Sequence, residues 1–125
     1  MEQARGRVTA FDADTGAVRW KFQTTRPVNA AVTPTAGGLV FSGGTSDRKF
    51  HAFDASTGKL LWEFPTNSGI LAPPTSFAID GKQYIAVLSG WGGDSRGMQA
   101  TLDRAFPGEF PEVPEGGAVW LFAVD

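Results

Sequence analysis

The chain has no cysteine. Disulfides and thiolate metal sites are therefore excluded within it, and the redox compartment is left undecided. It has one histidine, His51. A lone histidine, read as lacking a carboxylate or second histidine partner, is expected to be a poor metal site. No stretch of about 18 apolar residues occurs, so no helical membrane span is expected. The opening Met1-Glu2-Gln3-Ala4-Arg5-Gly6 holds no apolar signal region. Lysine and arginine form no basic run, and the net charge is −2. Nucleic acid, which is bound by clustered basic side chains, is not an expected partner. Glycine, by contrast, is abundant at 16 residues, with 8 proline, 10 phenylalanine and 4 tryptophan. The aromatic residues suffice for the core of one domain at this length. The glycine and proline suit many short strands and turns better than long helices.

The chain repeats itself. Ala10-Phe11-Asp12-Ala13-Asp14-Thr15-Gly16-Ala17-Val18-Arg19-Trp20 returns as Ala52-Phe53-Asp54-Ala55-Ser56-Thr57-Gly58-Lys59-Leu60-Leu61-Trp62. Gly58 follows Gly16 by 42 positions, and Trp62 follows Trp20 by the same interval. Leu121-Phe122-Ala123-Val124-Asp125 aligns with Phe50-His51-Ala52-Phe53-Asp54 as a cut-off third copy. The interval falls in the range of propeller blades, about 40–45 residues for four strands. Ala-Phe-Asp alternates as a strand does. Asp-x-x-Thr-Gly is turn chemistry, since Asp accepts nearby backbone amides and Gly allows a positive φ. Val18, Trp20 and Phe22, like Leu60, Trp62 and Phe64, then alternate along a second strand. Each copy reads as an antiparallel hairpin carrying one indole, and each indole is expected to pack on a neighbouring copy. Two similar hairpins in a β-sandwich is the other architecture open to this pattern.

Taken in order, the strands number two, then four, then three. Gly6–Asp12 and Ala17–Gln23 give half a blade over residues 1–24. Val28–Thr35, Leu39–Gly43, Phe50–Asp54 and Leu60–Phe64 give a full blade over 25–66. Over 67–125 come Ile70–Ile79, interrupted by Pro73-Pro74, then Gln83–Ser89 and Ala118–Val124, in a blade short of its last strand. Asp80-Gly81 is a tight hairpin turn. Residues 94–117 form a long irregular stretch, rich in Pro and Glu, with isolated Phe106 and Phe110. A loop of that length is functional or poorly ordered. Its Glu109, Glu112 and Glu115 read as a solvated face.

Ala-x-Asp-x-x-Thr-Gly-Lys-x-x-Trp resembles the tryptophan-docking motif of quinoprotein propellers. Ala52–Trp62 matches at each defining position, and Ala10–Trp20 departs only at Ala17. Asp80-Gly81-Lys82-Gln83-Tyr84 and Gly90-Trp91-Gly92-Gly93 follow in family order. The chain is similar to the C-terminal blades of the pyrroloquinoline quinone (PQQ)-dependent methanol/ethanol dehydrogenases. Pro27-Val28-Asn29 and Ala72-Pro73-Pro74 lean to the ethanol side. The resemblance implies an all-β fold, a partial eight-bladed propeller of about two and a quarter four-stranded blades. It implies oxidation of primary alcohols to aldehydes, with PQQ as cofactor, calcium or a lanthanide as metal, and a cytochrome as electron acceptor. It also implies a periplasmic location and a last blade closed by a strand from the far N-terminus. The family's catalytic Asp, metal ligands, quinone-binding Arg and adjacent-cysteine disulfide match no position here. An isolated chain is therefore expected to be inactive, and to pair with itself or with the missing blades. A non-catalytic binding or assembly module built from the same blades is the alternative.

The expected cofactor contacts are Trp91, with Gly90 and Gly92 beside it, and Asn29. Glycines around one indole let backbone approach a ligand, and a flat ring can cover one face of a flat cofactor. In the resembled family this region lies beside the quinone. Trp91 could equally be a packing residue at a bulged strand end, and Asn29 could satisfy its own strand end. His51, between Phe50 and Ala52, is expected to face outward. Asp12-x-Asp14 fails as a calcium loop, because Gly16 takes a ligand position and the closing Glu is absent. Gly90-Trp91-Gly92-Gly93-Asp94-Ser95 misses the dinucleotide pattern at Ser95, and no helix is expected after it. No Gly-x-Ser-x-Gly elbow exists for an acyl-transfer nucleophile.

Overall fold

The computed structural model describes residues 5–44, 46–90, 95–112 and 116–124. Alternating apolar residues fold into β1 (Gly6–Phe11), β2 (Val18–Thr24), β3 (Val32–Pro34), β4 (Leu39–Gly43), β5 (Lys49–Asp54), β6 (Leu60–Pro65), β7 (Thr75–Ile79), β8 (Lys82–Ser89) and β9 (Ala118–Val124). They form three antiparallel sheets, β1-β2, β3-β4-β5-β6 and β7-β8-β9. The expected two, four and three strands are thus the observed ones, and the fold is a partial propeller. Two strands are shorter than expected. Val32 pairs with Ser42, near the end of β4, so the residues before Val32 run past their partner. Pro73 and Pro74 have no N–H to give to a ladder, and β7 starts only at Thr75.

The two repeat turns are built alike. Asp54 Oδ1 accepts from the backbone N–H of Ser56 and Thr57 and from both hydroxyls. Asp12 Oδ1 accepts from Asp14 N, Thr15 N and Thr15 Oγ1. Gly16 and Gly58 both have φ of 71°. The Ser56 hydroxyl first, then the Thr57 hydroxyl, lower the Asp54 pKa from the ordinary 3.8 to about 2. Asp12 is lowered in the same direction, first by the Thr15 amide. A depressed carboxylate stabilises the fold above its unfolded pKa, and that contribution is lost as pH falls through the folded value. Wild-type melting temperature is therefore expected to fall more steeply than that of Asp54→Asn between about pH 4 and pH 2. Parallel curves in a calorimetric pH series would show that these bonds do not favour the charged form.

The sheets stack face to face through aromatic rings. Trp20 of β2 lies 9% exposed against the second sheet, 6.5 Å from the Phe53 ring. Its indole N–H donates to Ala55 O at 2.8 Å. A Cβ on Gly58 would come within 2.5 Å of the same indole. Trp20 therefore sits against the 54–58 turn of the second sheet. Phe50, fully buried, faces the other way, with ring centroids 5.5 Å from Phe41 and 5.5 Å from Phe122 of β9. Ile70, Ile85 and Val87 complete this second interface. Trp62 meets Phe122 edge to face at 5.2 Å but stays 41% exposed.

Between β8 and β9 lies α1 (Ser95–Ala105). This corrects the expectation of an irregular stretch with no helix. Met98, Leu102 and Phe106 recur every four residues, one helical face, and close with Phe110 over a small apolar cluster. The exclusion of a dinucleotide site now rests on topology. β8 and β9 pair antiparallel, whereas that site needs a parallel βαβ crossover.

Candidate functional site

An up-and-down order puts β2–β3, β4–β5, β6–β7 and β8–β9 connections at one end of the sheets. Backbone bonds tie these connections together there. Ile70 N donates to Gly44 O at 3.2 Å, Thr66 N to Arg48 O at 2.9 Å, and Gly90 N to Gly69 O at 3.0 Å. The opposite end carries only short turns, joined by Ala55 N to Gly38 O at 2.8 Å. The loop-rich end is where a ligand could be held.

Two expected contact residues are described there. Gly90 ends β8 with φ of 151°, and a Cβ on it would lie 2.9 Å from Gly116 O. Its glycine is thus required by the close return of the 116–117 backbone. Asn29 is exposed in the connection ahead of β3. Trp91 and Gly92 lie outside the described residues. Thr33 Oγ1 donates to Pro74 O at 2.6 Å, which joins the inner strand of the second sheet to the third. Thr33 is therefore a strand residue, as expected.

His51 corrects the outward expectation. It is 6% exposed, and its Nε2 lies 2.7 Å from Asp47 Oδ2. Its ring lies 6.3 Å from Phe22 of the first sheet. Alternation separates inside from outside only in a sheet with one wet face. The second sheet is covered on both. Glu109 is likewise no merely solvated acid, since Arg5 Nη1 donates to its Oε2 at 2.6 Å. Arg5 also lies over the Phe106 ring at 4.2 Å, and Arg26 over Phe110 at 4.9 Å. Arg48 Nη2 donates to Pro111 O. Three arginines from the first two sheets and their flanking segments thus hold the far end of the insertion. Spacing alone did not single them out; the signal available was an arginine ahead of β1 and one in each of the β2–β3 and β4–β5 connections.

Among the described residues no group of three His, Asp or Glu could hold a metal ion. No helix of the described residues is long and apolar enough to cross a membrane.

Sheets of two, four and three antiparallel strands, stacked face to face through aromatic rings, are a section of a β-propeller. Residues 4–92 match the family described as outer membrane protein assembly factor BamB, and the chain belongs to that family of propeller repeats. A quinoprotein ethanol dehydrogenase of Pseudomonas putida is 41% identical over 122 residues, covering 95% of this chain and 18% of the relative. A 1-butanol dehydrogenase (cytochrome c) of Thauera butanivorans is 36% identical over 115 residues, 92% of this chain and 16% of the relative. The solved structure of a europium-containing methanol dehydrogenase superposes with a TM-score of 0.75 at 32% identity, over 94% of this chain and 23% of that one. The chain spans less than a quarter of the length of each of these proteins.

Proposed function

We propose that this chain is a section, at the C-terminal side, of the catalytic propeller of a PQQ-dependent alcohol dehydrogenase. The observation that carries this reading is 41% identity, along 95% of the chain, to a quinoprotein ethanol dehydrogenase. The domain division into a half blade (1–24), a full blade (25–66) and an incomplete blade (67–125) goes with it. When bound, PQQ supplies a two-electron acceptor for an alcohol's C–H bond. Within this chain, Trp91 would cover one face of the quinone, with Gly90 and Gly92 giving its ring access, and Asn29 would offer an amide from the neighbouring connection. Gly90 N–H is already given to Gly69 O, so its part is to admit the indole rather than to donate. The base and the ligands for calcium or a lanthanide would come from other parts of the longer protein. A periplasmic location and a cytochrome acceptor belong to the same reading. So does the indole docking of Trp20, which would hold the blades in register around the cofactor.

The test uses the purified chain. PQQ with calcium is expected to quench its tryptophan emission saturably, and Trp91→Leu to weaken that binding by about three- to tenfold. Neither protein is expected to reduce dye in the presence of ethanol. Equal binding by Trp91→Leu would remove the wall from the quinone, and alcohol-dependent dye reduction would show that the chain is catalytic alone.

The family's description favours a second reading, a non-catalytic assembly module. Here Trp91 would be a packing residue. Loss of melting temperature in Trp91→Leu with unchanged quinone response would support it. In either reading the third sheet has Leu88, Val119 and Leu121 more than half exposed. A chain of this length alone is expected to self-associate, read by gel filtration across concentrations.

A further inference from the structure

A cleft of about 630 Å³ lies between the first and second sheets at the loop-rich end, bounded by the end of β2, the 46–49 loop, Glu63 and Pro111. Its charges do not balance locally. Asp47 Oδ2 is taken by His51 Nε2 at 2.7 Å, and Asp47 Oδ1 by Lys49 N at 3.1 Å. Glu63 Oε1 is taken by Lys49 Nζ at 2.5 Å. With His51 neutral, Arg26, Arg48 and Lys49 against Asp47 and Glu63 leave the cleft a net charge of +1, and its two guanidinium groups are Arg26 and Arg48. Neither forms an ion pair among the described residues; Arg26 rests on the Phe110 ring, and Arg48 donates to Pro111 O. Arg48 Nε is buried without a partner, and so is the hydroxyl of Ser46, a residue 2% exposed in the same wall. Burial first, and the Arg26 charge second, hold the Arg48 pKa below its ordinary value. Two like charges kept together in a partly desolvated cleft oppose folding unless an anion offsets them.

We infer that this cleft binds a small oxyanion, carboxylate or phosphate in chemistry, between Arg26 and Arg48. The guanidinium plane matches the paired oxygens of either group, which ammonium does not. The Ser46 hydroxyl stands beside the site as a further donor. The inference rests on two arginines without an ion pair and on the unpartnered Arg48 Nε and Ser46 hydroxyl, and holds whether or not the chain serves a quinone.

The test titrates the ¹⁵N-labelled full chain with inorganic phosphate and, separately, with citrate, at constant ionic strength with chloride as control. Saturable shifts are expected at the amides of Arg26, Ser46 and Arg48 and at the arginine side-chain N–H groups. Arg26→Gln and Arg48→Gln are each expected to weaken binding by about tenfold. Arg104→Gln, on the exposed end of α1, is expected to leave it unchanged. Arg48→Gln also removes the bond to Pro111 O and could loosen the loop. Arg26→Gln removes no backbone bond, so its result decides if the first variant melts early. Response to phosphate alone or to citrate alone identifies the oxyanion, and either supports the site. No saturable shift with either anion overturns it. So does equal affinity in wild type and Arg26→Gln.

Discussion

Phe50→Ala is expected to cost about 3–5 kcal/mol of folding stability. Phe50 is fully buried at the centre of the second interface, with rings from Phe41, Trp62 and Phe122 around it. Those neighbours belong to three different strands, so they cannot all move into the space left behind. A cavity would remain, and its cost adds to the lost transfer of the ring from water. The effect should propagate, because Phe122 is the main contact between β9 and the second sheet. Urea denaturation followed by circular dichroism reads the change in midpoint. Phe77→Ala is the control: its ring is 37% exposed and, among the described residues, stacks only on Tyr84, and its loss should be much smaller. Equal losses would mean that the second interface is not where stability is concentrated.

Gly58→Ala is expected to destabilise by about 2–4 kcal/mol, and Gly16→Ala by only about 1 kcal/mol. The two glycines share the same φ of 71°, so the backbone strain of an added methyl is common to both. They differ in surroundings. Nothing lies within 4 Å of a Cβ on Gly16, whereas a Cβ on Gly58 would stand 2.5 Å from the Trp20 ring. The difference between the variants therefore measures the contact between the first two sheets. In a Trp20→Ala background that difference should vanish, which a double-mutant cycle by urea denaturation reads directly. A persistent difference would place the cost in the turn itself and not in the indole.

The repeat made most of the fold legible. Two identical intervals, with turn residues at fixed places, located β1, β2, β5 and β6 and implied face-to-face stacking. Strand ends were less legible where a partner runs out, as for β3, or where prolines remove donors, as before β7. α1 was missed because Gly97 and a polar majority mask its face, although Met98, Leu102 and Phe106 stand at helical spacing. His51 was placed on the wrong side because alternation carries no inside-outside meaning in a sheet covered twice. Of the expected contacts, Gly90 acquired a local structural reason and Asn29 an exposed place at the loop-rich end. The arginines at the insertion were invisible to spacing, because residues from 5 to 48 meet residues from 106 to 111 only through the sheet topology.

The second sheet's double covering has one more consequence. Among the described residues each sheet packs face to face only on its immediate neighbours, so opening proceeds from the outside inward. The β1–β2 hairpin, held by one face and by the Arg5 and Arg26 contacts to the insertion, can peel away while the rest stays closed. Amides of β4 and β5, shielded by rings on both sides, keep their protium longest in deuterated solvent, and the last of them to exchange report the unfolding of the whole chain.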